Sequence, residues 1–405
     1  METRKRVILV WFRNDLRLHD NEMLSEVEER ASIVIPVYIF DKRYFSTNKY
    51  GNKNTGVLRA EFLRQSVKAL RKDLQAMDSD LLVYHGFPED ILPRLAVKYE
   101  VDQVYHHREV AQRETTISEL VETALWQYEI DLKHFIGHTL YHKEDLPFSV
   151  REIPEAFANF RKEIERESFV REPFPKPSSL LTPKHLEKTN IPSLEELGYD
   201  QKELEFIKNA PLAIKAGEKN ALKSLKDFFT SDFWDNQGNI TAITPYIASG
   251  TISPIYIYHK LIQSKLKDHK KGYEKVLKAL FWRDYFRFML KKHKNIFFKN
   301  LDKKQNLKNN LELLTQWKNG NTGVEQVDSI IQDLHKTGLI KYSQRKIVGG
   351  FLIQKLKQNW LEGASFFEEH LIDYEPASNY GYWAHIAGVG TSKKENKQKE
   401  WGKLV

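Results

Sequence analysis

The sequence has no cysteine, which excludes disulfides, thiolate nucleophiles and cysteine-ligated zinc or iron–sulfur centres in one step. It has no apolar run near the roughly 18–20 residues that cross a bilayer. No G-x-G-x-x-G follows its first strand-like segment, so the common dinucleotide fingerprint is missing. The opening METRKRVILVWF places basic residues before an apolar segment, but Arg13 and Asp15 soon interrupt it and no small-residue cleavage site follows. It reads as a first strand rather than a signal peptide, and a soluble, cytoplasmic protein is expected. Negative charge is in deficit: 63 Lys and Arg against 55 Asp and Glu leave a net +8. Much of the excess gathers in residues 265–275 and 291–308. Such a balance suits a polyanion, whose counterions lysine and arginine release. A solvated lysine-rich surface explains the charge alone equally well.

What is present is enough for large cores. The chain has 405 residues, 41% of them hydrophobic and 12% aromatic, so two domains are expected. Residues 7–12, 32–40, 80–84 and 103–106 read as short apolar strands. Between them, Leu58, Phe62, Val67, Leu70 and Leu74 recur at helical spacing. This rhythm predicts an α/β domain over residues 1–136 with a doubly wound parallel sheet. Seven prolines between Pro147 and Pro192 mark residues 137–205 as a surface connector. Residues 206–405 then turn helical, with amphipathic stretches around 218–230, 252–266, 273–292, 324–336 and 343–358, which predicts an all-α second domain.

Chemistry-bearing residues cluster in a few strings. LIDYEPASNYGYWAHIAGVG (371–390) packs Asp373, Glu375, Asn379 and Trp383 among small residues, a set able to grip a large planar cofactor and pass it electrons. WFRNDLRLHDN (11–21) could bind a phosphate, but locking a strand-to-helix turn is favoured about three to one. In TAITPYIASGTISP (241–254), hydroxyls at a helix start suit a pyrophosphate or plain N-capping. ALFWRDYFRFMLKKH (279–293) interleaves Arg283 and Arg287 with aromatics, a pattern for stacking on bases or for a buried helix with salt-bridged arginines. His134, His138 and His142 have i, i+4, i+8 spacing, but Gly137 and Thr139 favour a strand and turn over a metal site.

The strings at 11–21, 139–165 (TLYHKEDLPFSVREIPEAFANFRKEIE), 241–254, 279–293, 337–352 and 371–390 resemble the cryptochrome/photolyase family, within it the DASH branch, and together span essentially the whole chain. The resemblance implies an antenna-type α/β domain, a long linker and a helical domain holding flavin adenine dinucleotide (FAD). It places Thr241, Ala242, Ile243 and Thr244 at the diphosphate, although Ile240 stands where a hydroxyl is common. It puts Arg283 beside the flavin, Arg345 along the ring paired with Asp373, and Asn379 opposite flavin N5, with Glu375 replacing the usual aspartate. Trp383 and Trp360 match the first two members of an electron relay; Leu307 replaces the third, so Trp317 or a tyrosine would have to complete it. Trp282, Tyr342, His385 and Arg287 fall on the substrate or nucleic-acid side, and Glu109 and Gln112 where a folate antenna (methenyltetrahydrofolate) binds.

The sequence departs from the family on the substrate side. Ala279 takes the place of a dimer-binding glutamate, Tyr342 that of a bridging amide, and His385 that of an indole. Gln112 stands where a carboxylate is common. The chain ends soon after Gly388-Val389-Gly390, where relatives continue through further helices, which implies a shortened protein. The leading expectation is a DASH-like, blue-light-responsive flavoprotein that binds single-stranded nucleic acid or signals through redox change to a partner not identified. A deoxyribodipyrimidine photolyase acting on damaged DNA is the enzymatic alternative, and a scaffold that binds no flavin is the third.

Overall fold

The computed structural model describes residues 6–210, 212–230, 240–264, 270–299 and 309–392. Five parallel strands, β1 (Val7–Phe12), β2 (Ile33–Asp41), β3 (Leu82–Gly86), β4 (Gln103–His107) and β5 (Asp131–Phe135), form one sheet in the order β3-β2-β1-β4-β5. Helices α1 (Glu22–Arg30), α2 (Val57–Gln75), α3 (Pro88–Lys98) and α4 (Gln112–Trp126) connect them. Side chains alternate along a strand. Thus Ile8, Val10 and Phe12 pack with Leu24, Val27 and Leu70 on one face. Val7, Leu9 and Trp11 pack with Leu92, Leu95 and Leu125 on the other. Burial on both faces is why β1 and β2 read as nearly unbroken apolar runs. β5 is an addition to the four expected strands: as an edge strand only partly covered, Asp-Leu-Lys-His-Phe needs just two apolar residues.

The predicted connector is more structured than its prolines suggested. It contains α5 (Phe157–Glu167), whose Phe157, Phe160 and Ile164 enter the helical core. Farther on, Leu180, Leu194, Leu197 and Tyr199 enter the core of the sheet domain. The segment therefore pins both cores before α6 (Gln201–Asn209) begins.

The second domain comprises α7 (Glu218–Thr230), α8 (Thr244–Ala248), α9 (Pro254–Gln263), α10 (Lys270–His293), α11 (Leu311–Lys318), α12 (Glu325–Thr337), α13 (Tyr342–Gly350), α14 (Trp360–His370) and α15 (Pro376–Ala387). α10 is buried around most of its girth, with Val276, Leu280, Phe281, Tyr285 and Met289 all inside, and forms the domain axis. α15 packs on both α10 and α14 at close range. A Cβ at Gly363 of α14 would stand 2.3 Å from the Trp383 ring. Among the described residues, no helix is long and apolar enough to cross a membrane.

The β1–α1 loop carries the Arg13–Asn21 motif, and it locks the domains together. Asp15 meets His107 at the end of β4 (Oδ2 to Nδ1, 2.6 Å). Arg17 donates to the carbonyls of Gly137 and Gly250, both at 3.0 Å. Gly250, at φ +66°, lies so near this loop that a Cβ would be 1.6 Å from the Asn14 carbonyl oxygen. With its arginine donors spent on backbone carbonyls and the Ser118 hydroxyl, the motif takes the structural role favoured from sequence.

Candidate functional site

A cavity in the helical domain is walled by α8, α10, α13, α14 and the N-terminal half of α15. Thr244, Ala279, Arg283, Tyr342, Arg345, Asp373, Glu375 and Asn379 converge on it from separate elements. One guanidinium nitrogen of Arg345 donates to both Asp373 oxygens, at 2.9 and 2.7 Å. The Thr244 hydroxyl donates to Asp373 Oδ2 at 2.6 Å. This ion pair is buried, and with Thr244 its carboxylate is well supplied with donors. Burial draws the Arg345 pKa down, but Asp373 outweighs it and holds the value above the ordinary one. The Arg345 guanidinium also lies over the Tyr342 ring, 4.8 Å from its centroid.

Glu375 is the N-cap of α15, accepting from the backbone N–H of Ser378 at 2.8 Å. That cap fixes the helix carrying Asn379 and, one turn on, Trp383. The Asn379 amide donates to the Ala364 carbonyl at 2.9 Å. Arg283 donates to the His138 carbonyl. Its pKa is pulled down, by burial first and by Arg287 second. Arg283 is half-buried, and Glu375, Asp284 and Glu109 offset its burial only in part, which favours a ligand bearing or gaining negative charge. With the apolar walls of Leu280 and Phe367, this donor set fits a flavin ring.

Several predicted contacts come out differently. Thr244 gives its hydroxyl to Asp373 rather than leaving it for a diphosphate. Ile243 is buried in the helical core and Thr241 is also buried, whereas Ala242 is exposed. Trp282 stacks face to face on Phe157 at 3.8 Å and 8°, so one face of this expected substrate-side indole is already covered. His385 lies 5.4 Å from Trp282, and Tyr342 packs edge-on against Tyr382. Arg287 is corrected outright. It is only 3% exposed and pairs with Glu109 at 2.8 Å and Glu375 at 2.9 Å. A guanidinium held between two carboxylates in the interior cannot reach a nucleic-acid surface.

Glu109 and Gln112 do meet at one cavity between the domains, together with Arg108, His138, Lys291 and Lys294. Gln112 is exposed at the start of α4. Glu109 is buried and also accepts from Asn14 Nδ2 at 2.9 Å. His138 and Arg287, in that order, overcome its burial and hold its carboxyl well below the usual range. The three spaced histidines diverge: His134 on β5 meets His106 at 2.7 Å, while His138 lines this cavity.

Trp317, Trp360 and Trp383 are all fully buried. Trp383 lies 5.0 Å from Phe367, a cavity wall residue, and 6.3 Å edge-on from Trp317. Leu307 lies outside the described residues. Sequence reasoning passed over Ser378 and Tyr382, although both lie in the cavity wall on the α15 turns that hold Asn379 and Trp383. It weighed His138 only as a metal ligand.

The sheet domain, the pinned connector and this helical pocket together define a two-domain protein of photolyase architecture. Residues 8–178 match the family described as DNA photolyase, and residues 276–398 match the FAD binding domain of DNA photolyase. The chain is 34% identical to cryptochrome DASH of Gloeobacter violaceus over 96% of its own length and 80% of that relative. It resembles the crystal structure of a Synechocystis cryptochrome with a TM-score of 0.87 and 33% identity, over 96% of this chain and 83% of that one. A photolyase from Sulfolobus tokodaii, solved with two FAD molecules and an implied light-harvesting cofactor, matches with a TM-score of 0.79 and 25% identity, over 96% and 84%. The chain belongs to the cryptochrome/photolyase family, and its helical domain is the family's FAD-binding domain.

Proposed function

We propose that this protein is a DASH-type, blue-light-responsive flavoprotein that binds single-stranded or damaged nucleic acid and repairs pyrimidine dimers poorly. The observation that carries this reading is the contrast at the pocket: Arg345, Asp373, Glu375 and Arg283 form a charged cradle, while the rim at Ala279 offers a methyl group. Bound flavin would supply light absorption and one-electron chemistry. Around it, Arg345 and Arg283 would hold negative charge on the ring, and Asn379 would face its reacting edge. Trp383 packs against the wall residue Phe367, and Trp317 in edge contact with it supports a relay that does not depend on Leu307. Cleaving a dimer needs donors where its charge develops. Ala279 has none, and Tyr342 is turned against Tyr382 and Arg345. The interdomain cavity suits a folate antenna held by Glu109 and Gln112.

Full photolyase activity is the second reading, favoured by the indole of Trp282, whose ring lies 5.4 Å from that of His385. The deciding experiment illuminates reduced, flavin-loaded protein with a single-stranded oligonucleotide containing one dimer. Binding and flavin photoreduction with little dimer loss are expected. Efficient dimer loss would overturn the proposal in favour of the second reading, and a colourless protein that takes up no FAD would overturn both.

A further inference from the structure

Glu109, Arg287 and Glu375 come from three different places: the loop after β4, the middle of α10 and the cap of α15. In the fold they make one buried line. Arg287 Nη2 donates to Glu109 Oε2 at 2.8 Å, and its Nη1 donates to Glu375 Oε1 at 2.9 Å. All three are at most 8% exposed, so salt and water screen them little. One end of the line, Glu109, lines the interdomain cavity; the other, Glu375, lines the flavin pocket. His138, 3% exposed, also lines the interdomain cavity, with its Nε2 3.4 Å from Glu109 Oε1. A planar heterocycle with several N–H donors, such as a reduced pterin, could engage Glu109 there.

We propose that Glu109, Arg287 and Glu375 form an electrostatic link through which occupancy of the interdomain cavity sets the redox preference of the flavin pocket. This rests on the reading that the helical pocket holds flavin. One positive charge is shared by two carboxylates. A ligand whose N–H groups draw on Glu109 loosens its hold on Arg287, so that the guanidinium charge bears on Glu375 alone. The field at the pocket becomes more positive, and the reduced, negatively charged ring is favoured over the oxidised one. Linkage makes the effect reciprocal: reducing the flavin tightens the cavity ligand by the same factor. Arg287 is thus a positioning residue, acting on the flavin through Glu375.

The test measures the flavin midpoint potential of the full-length holoprotein. Glu109→Gln removes one of the two balancing charges and should raise the potential; Arg287→Gln leaves both carboxylates uncompensated and should lower it. Arg287→Lys should restore a value near wild type. A tenfold change in the preference for reduced flavin corresponds to about 30 mV for a two-electron couple, and shifts of that order are expected. Loosened packing alone would not move the two variants in opposite directions. Adding 5,10-methenyltetrahydrofolate should raise the wild-type potential and leave Glu109→Gln where it is. Shifts of the same sign in both variants, or folate bound with no change in potential, would overturn the link while leaving the flavin reading intact. Failure of folate to bind would likewise overturn the link while leaving the flavin reading intact. Failure to take up flavin at all would overturn the earlier reading and this one with it.

Discussion

On the wall of the pocket formed by α13 and α15, charged groups are answered by partners drawn from distant parts of the chain: Arg345 by Asp373, and Glu375 by Arg287 and the α15 cap. Elsewhere, Ala279 offers the pocket only a methyl group, Tyr342 packs on Tyr382 and Arg345, and Trp282 stacks on Phe157 beside His385. The first wall is preorganised, its desolvation already offset by fixed partners, so it can hold charge without rearranging. The second set has no carboxylate: Ala279 brings a methyl group, and the donors beside it are the hydroxyl of Tyr342, the indole of Trp282 and the imidazole of His385. Cofactor binding and substrate chemistry are therefore separable properties of one cavity.

The largest effect should come from breaking the charged wall. Arg345→Ala leaves Asp373 buried without its cation, which costs about 3–5 kcal/mol. Flavin stoichiometry should fall to near zero, and the urea midpoint should drop with it; a yellow variant of wild-type stability would show that the ion pair is dispensable.

A smaller effect concerns Asp284 on α10, which is met by the backbone N–H groups of Leu140 and Tyr141 at 2.9 to 3.0 Å. Burial raises its pKa to about 6. Because the folded state favours the protonated form, this contribution to stability is complete below the ordinary aspartate value and is lost as pH rises through about 6. Thermal unfolding of wild type from pH 4 to 7, compared with Asp284→Asn, should show that component disappear in the variant.

The smallest effect on the cofactor is expected from Ala279→Glu at the rim. Flavin content should be unchanged and stability altered by no more than about 1 kcal/mol, while dimer loss under illumination should increase. Loss of flavin in this variant would mean that the two walls are not independent.

Much of this was legible in the sequence where signals are local. Strands β1 and β2 show because burial on both faces leaves a nearly unbroken apolar string, β3 and β4 show through their short apolar stretches, and β5 hides because an edge needs only Leu132 and Phe135. Helix α5 hides among prolines, although Phe157, Phe160 and Ile164 keep helical spacing. The pairing of Arg345 with Asp373 came through the family resemblance, and the geometry bears it out. Arg287 was misjudged because its partners stand 178 residues before and 88 residues after it. From sequence alone, an arginine among aromatics on a basic helix looks the same whether it faces phosphate or a buried carboxylate.

Gly250 carries a consequence for how light would be used. A turn with no room for one methyl group against Asn14 acts as a mechanical stop between the two domains. The sheet domain and the helical domain approach this closely here because residue 250 has no side chain. A side chain at position 250 would push the β1–α1 loop away from the helical domain, and for dyes seated in the two cavities it would change the spacing on which transfer of excitation steeply depends.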